Sequence, residues 1–191
     1  MMKLISPDKA EGIIEKYDAW IGEVSDRYQV PAALIKAILY QEMTAMDLLD
    51  PVADIAVQIA PRYSRDSSTG YAQIFGHVGL AAINFAVDRG LATYDSLGIA
   101  SDHRLSRDSR RDVHKVWLKL HSDPKFNIEV AALNLAMAAE EMTGHADFSC
   151  HSDDELKLVL TRYNADTKRI TPYGEQAFQH YLRYGGGARR A

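Results

Sequence analysis

The stretch from Asp123 to Gly144 constrains the fold most. Asp123-Pro124 opens it as a helix cap followed by proline in the first turn, and Gly144 closes it. Between them Ile128, Val130, Leu133, Leu135, Met137 and Met142 place apolar residues on most faces of one helix. Such a helix can be stable in water only when other elements surround it, so the chain must wrap the rest of its structure around residues 124–143.

The flanking sequence supplies the wrapping as further helices. Ser6-Pro7 starts a first amphipathic helix carrying Ile13, Tyr17, Trp20, Ile21, Val24 and Tyr28 at helical spacing. Pro31 starts a second, running to about Asp47. A third is expected over roughly Val78 to Arg89, stopped by Gly90, and a short one around Val113, Val116, Trp117 and Leu120. Ser152-Asp153-Asp154-Glu155 forms a capping box for a helix ending near Tyr163, and Pro172 opens the last. The segment from Pro51 to about Phe75 is rich in proline, serine and glycine and reads as irregular, with a short β-hairpin near residues 55–75. Residues 98–110 form a polar connection. The expected fold is mainly α, divided as an N-terminal helix over 1–29, a main domain over 30–184 and a flexible tail over 185–191.

Bulk properties narrow the function. The chain has 191 residues, a formal net charge of −4 and a pI near 6.0. That balance speaks against a nucleic-acid partner, which usually demands a basic excess, and against strong capture by an anionic cell wall. The arginines at 104, 107, 110 and 111 are interleaved with Asp102, Asp108 and Asp112, as expected of a solvated mixed-charge loop. Cys150 is the only cysteine, so no intrachain disulfide can form. The histidines show no His-Glu-x-x-His spacing, and with one cysteine no zinc cluster or other metal site is expected. No cofactor is implied. No segment approaches the roughly 20 apolar residues of a membrane span, and the N-terminus carries no classical signal peptide.

Chemistry enters with Glu42. Leu34, Ile38 and Glu42 lie at i, i+4 and i+8 on one face of the second helix, while Lys36, Tyr40, Thr44 and Asp47 form its polar stripe. A carboxyl on the apolar face is costly to ionise, so it is expected to hold its proton nearer to neutral pH than an ordinary glutamate. Glycosidic cleavage needs such a proton donor for the leaving sugar oxygen. Taken alone, a glutamate in this position is more often at the core edge or paired with an arginine.

Four segments in order shift that balance. Val30-Pro31 through Gln41-Glu42, Gly70-Tyr71-Ala72-Gln73-Ile74, Phe126-Asn127-Ile128 and Arg162-Tyr163-Asn164-Ala165 together resemble the lysozyme-like domain of soluble lytic transglycosylases and goose-type lysozymes. The likeness spans about residues 28 to 184. It departs from the family at Met43, where serine is usual, at Ala131 and Asn134 for glycine and tyrosine, and at Asp166 for glycine. The resemblance implies a helical domain with a sugar-binding cleft that cuts β-1,4 bonds between N-acetylmuramic acid and N-acetylglucosamine in peptidoglycan. Glu42 would be the general acid, with Gly70, Tyr71, Gln73, Ile74, Asn127, Tyr163 and Asn164 along the glycan.

The reaction type depends on a second carboxylate. A transglycosylase needs one carboxyl, because the sugar's own C6 hydroxyl attacks; an inverting muramidase needs another about 6.5–9.5 Å away to activate water. Candidates are Asp47, Asp50, Asp54 and Asp66, with Asp54 and Asp66 the preferred pair. Peptidoglycan strands are the expected partner, together with a cognate inhibitor or immunity protein. Without a classical signal peptide, action in the periplasm or at the wall implies non-classical export or lysis, as for a phage lysin or a delivered antibacterial toxin.

Overall fold

A computed structural model of the chain describes residues 4–46, 57 and 66–187. Among these, eight α-helices are α1 (Pro7–Lys16), α2 (Asp18–Tyr28), α3 (Ala32–Ala45), α4 (Gly76–Asp88), α5 (Arg110–Ser122), α6 (Pro124–Thr143), α7 (Asp153–Asn164) and α8 (Pro172–Arg183). A two-stranded antiparallel hairpin, β1 (Ser68–Thr69) and β2 (Ile74–Phe75), pairs Ser68 with Phe75 and Thr69 with Ile74. No described helix is long and apolar enough to cross a membrane.

The helix over 124–143 is the hub. It packs against α2, α3, α4, α5 and α7, and its residues from Phe126 to Ala139 are all buried. Its caps are those its sequence announces: the Asp123 carboxylate accepts from the Phe126 N–H at 3.1 Å, and Gly144 leaves the helix at φ +86°. Ser152 and Glu155 complete a reciprocal capping box on α7. Ser6, Ser109 and Thr171 cap α1, α5 and α8 through their hydroxyls.

One expected element is two. The amphipathic run from Pro7 to Tyr28 breaks at Tyr17, whose backbone sits at φ −104°, ψ 11°. Neither glycine nor proline marks the break. Tyr17 closes α1 by donating to the Ile13 and Ile14 carbonyls, and its own carbonyl then starts α2 by accepting from Ile21. The elbow lets α1 lie along α3 while α2 reaches both α3 and α6. The helix after residue 109 also starts earlier than expected, at Arg110, because Ser109 caps it.

The hub carries three buried polar residues, Asn127, Glu129 and Asn134. A buried polar group without a partner would cost about 1–3 kcal/mol, so the partners of these three show what the fold has been built to hold. Glu129 accepts from Arg27 Nη1 and from the Tyr28 hydroxyl, each at 2.7 Å, which locks α2 onto α6. Asn127 and Asn134 face a different neighbourhood.

Candidate active site

Glu42 lies three residues before the end of α3 and is half-buried. Its neighbours in the chain, Gln41 and Met43, are buried. The helix end is fixed by backbone bonds: Met46 donates to the Glu42 carbonyl at 3.1 Å, and the Met46 carbonyl accepts from Leu4 at 3.2 Å. The Tyr173 hydroxyl, from the first turn of α8, donates to Glu42 Oε1. Burial first, and then the Glu42 charge, push the Tyr173 phenol well above its ordinary value. It therefore remains a neutral donor throughout the neutral pH range.

Tyr163, at the end of α7, is a second tyrosine that feels the Glu42 charge. Its phenol is also pushed well above the usual range, by burial and then by the charge of Glu42, which places it within electrostatic reach of the carboxylate. Its hydroxyl donates to the Ala72 carbonyl at 3.0 Å, and the Asn134 side chain hydrogen-bonds the same phenol. Two phenols, from α7 and α8, thus respond to the Glu42 charge.

Asn127 supplies the third wall. From the hub helix its Oδ1 accepts from the Ala72 N–H at 2.8 Å, and its Nδ2 donates to the Thr69 carbonyl at 3.1 Å. One amide therefore satisfies both edges of the hairpin turn. Gly70 makes the close approach possible: it sits at φ +72°, and a Cβ there would fall 2.2 Å from Asn127 Nδ2. On the outer side, β1 is held to α5 by the Trp117 indole N–H, which donates to the Ser67 carbonyl at 3.1 Å, and by a 2.9 Å contact between Thr69 Oγ1 and His121 Nδ1. The turn is consequently rigid, and its Ala72 carbonyl is tied to a residue that senses Glu42.

The sequence-derived residues fall into distinct situations. Glu42, Gly70, Asn127 and Tyr163 come together through the contacts above. Ile74 is buried, and Tyr71 is half-buried with its ring centroid 6.0 Å from that of Tyr17. Gln73 sits at φ +45°, and its side chain is turned into the hairpin, donating to the Gly70 carbonyl at 2.9 Å and accepting from Ser68 at 3.1 Å. Asn164 is exposed at the last position of α7. The Asp66 carboxylate caps α4: it accepts from the backbone of Gly76 at 2.7 Å and of His77 at 2.9 Å, and contacts His77 Nδ1 at 2.7 Å. Asp47, Asp50 and Asp54 lie outside the described residues.

Tyr173 and Asn134 were not singled out as site residues by sequence. Asn134 had a signal, as a polar residue inside an apolar helix. Tyr173 had none, since its proximity to Glu42, 131 positions away, exists only because α8 folds back along α3. Among the described residues no group of three or more histidines, cysteines or carboxylates is placed to hold a metal ion. A surface groove of about 570 Å³ is lined partly by Ala32 and Ala33, at the opposite end of α3 from Glu42. That is about 15 Å along the helix. Carboxyl and phenols lie instead at the Glu42 end.

Neither a family model, nor a curated protein, nor a solved structure matches this chain.

Proposed function

We propose that this protein cleaves the β-1,4 glycosidic bonds between N-acetylmuramic acid and N-acetylglucosamine in peptidoglycan, with Glu42 as general acid. One observation carries the reading. Three of the four segments that resemble the lysozyme-like domain are joined by side chains, Asn127 gripping the turn at 69–72 and Tyr163 gripping Ala72. The fourth brings Glu42, whose charge helps to raise the Tyr163 phenol.

The chemistry follows from the parts. Protonated Glu42 gives its hydrogen to the leaving glycosidic oxygen as the bond to the anomeric carbon breaks. Tyr173 fixes the orientation of the carboxyl by its hydrogen bond. In a transglycosylase Glu42, left as the carboxylate, takes the proton of the sugar's own C6 hydroxyl as that oxygen closes an anhydro ring. In a muramidase, water attacks and a second carboxylate takes its proton. For that route Asp66 would have to share a carboxylate that already holds the first turn of α4, and Asp54 is the other candidate.

Zymography on purified peptidoglycan tests the proposal. Wild type is expected to clear the gel and Glu42→Gln to leave it intact while folding normally. Retained clearing by the variant would sink the assignment. Wild-type binding without clearing would instead make the domain a glycan-binding module. Mass spectrometry of the products separates the routes, an anhydro-muramyl end marking the transglycosylase and a reducing end the hydrolase.

A further inference from the structure

The chain is acidic overall, yet one groove on its surface is lined by cations and by no carboxylate. It has a volume of about 620 Å³ and runs between one face of α5 and the turn at residues 98–100. Arg111, Lys115 and Lys119 follow one another along it at i, i+4 and i+8. That spacing places successive charges about 6 Å apart along the helix axis. Arg111 is exposed and makes no ion pair among the described residues. The Lys115 ammonium donates to the Ala100 carbonyl, bridging the groove to its far wall. Lys119 reaches Asp123 at 3.5 Å and lies 4.8 Å over the Phe126 ring. Each ammonium has three donors, so these contacts orient the lysines without exhausting them.

The neighbouring basic residues differ. Arg104 is paired with Asp88 at 2.6 Å, and His103 contacts Asp102 and Asp112, so these two are matched by carboxylates. On the α5 face Lys119 has a carboxylate partner, Asp123, outside the groove lining, while Arg111 and Lys115 make no ion pair among the described residues.

We infer that this groove binds a linear phosphodiester chain built on a polyol, a poly(alditol phosphate). A row of cations at regular intervals matches a polymer bearing one negative charge per repeat. The lining between the cations is aliphatic, from Ile99, Val116 and Leu118, and Leu118 is an exposed large apolar residue. Grooves that hold single-stranded nucleic acid add aromatic side chains on which bases stack. Here the one ring of the lining, His114, stacks on buried Trp117. A chain without bases fits such walls better.

The inference is independent of catalysis at Glu42, and its test keeps the two apart. Poly(glycerol phosphate) of defined length is titrated into the full chain by calorimetry at several salt concentrations. Three neutralised phosphates predict an affinity falling by about two decades per decade of salt. Arg111→Gln/Lys115→Gln/Lys119→Gln is expected to weaken binding at least about tenfold and flatten that slope by the loss of its three contacts. Glu42→Gln is expected to bind as wild type does. Arg111→Glu, at an exposed first-turn position, gives the same direction should the triple variant fold poorly. Undiminished binding by the folded variants, absence of wild-type binding, or tighter binding of an oligodeoxynucleotide of equal charge would each overturn the inference.

Discussion

Glu129 and Glu42 each accept a hydrogen bond from a tyrosine, and the surroundings give them opposite characters. Glu129 lies in the middle of the hub helix, 6% exposed, with Arg27 and Tyr28 both at 2.7 Å. The cation balances its charge, and the surrounding helices seal it. Burial, and then Glu129 itself, raise the Tyr28 phenol above its ordinary value, so the hydroxyl stays a donor. Such an arrangement ties two helices together and has no access for a substrate. Glu42 is set near the end of its helix, half-buried, with Tyr173 donating to it and Tyr163 within reach of its charge. The same pair of residue types is thus sealed beside a cation in one place and half-exposed in the other, where the proposed reaction would use the carboxyl as its acid.

Exchanging the two carboxyls for neutral groups is the strongest way to break this contrast. Glu42→Gln should lower turnover on peptidoglycan by about 10²–10⁴-fold, the usual share of a general acid, with little change in melting temperature. Glu129→Ala should do the reverse. It leaves Arg27 and Tyr28 without their acceptor and is expected to cost about 3–5 kcal/mol in denaturant titration, while the specific activity of the folded fraction survives. Activity lost in the second variant at full folding would merge the two roles.

Tyr173→Phe probes the phenol at the approachable site. A hydrogen bond to a charged group contributes about 1.5–3 kcal/mol, so a drop in kcat of about 10- to 100-fold is expected if the bond matters at the transition state. Tyr28→Phe, its counterpart at the sealed site, should reduce stability and leave kcat unchanged. Comparable kinetic losses in both would argue against the distinction.

The smallest effect is pH-dependent and lies outside both sites. Burial lowers the folded-state values of His151 and His180 below the ordinary 6.5. Each binds its proton more weakly folded than unfolded, so its contribution is fully present above pH 6.5 and is lost as pH falls through the folded value. His103 runs the other way. Asp102 and Asp112 raise it, so its contribution is present below pH 6.5 and fades as pH rises through its folded value, screened by solvent because the ring is exposed. The melting temperature should fall modestly on acidification below pH 6.5, and His151→Gln should flatten that limb. A limb unchanged in both His151→Gln and His180→Gln would place the titrating groups elsewhere.

Much of the frame could be read in the chain because its signals are local. Asp123-Pro124, Ser152 to Glu155 and Gly144 announce helix ends through bonds made within four residues. The hub helix announces its burial through its own apolar faces. The hairpin at 68–75 falls within the range expected from its glycine and serines. What was illegible depends on distant packing. Tyr17 breaks a helix without glycine or proline, in the register that lets α1 and α2 choose different neighbours. Tyr173 acquires its partner only through the fold of α8 onto α3. Gln73, expected along the glycan, has a left-handed backbone that turns its amide into the hairpin instead.

Gly70 and Asn127 are 57 positions apart, yet the space a side chain would need at one is filled by the amide of the other. Neither can drift alone. A larger residue at 70 demands a smaller one at 127, and a smaller one at 127 strands the Thr69 carbonyl and the Ala72 N–H that its amide satisfies. In inheritance the two positions form one character, and among descendants of this chain they should change together or not at all.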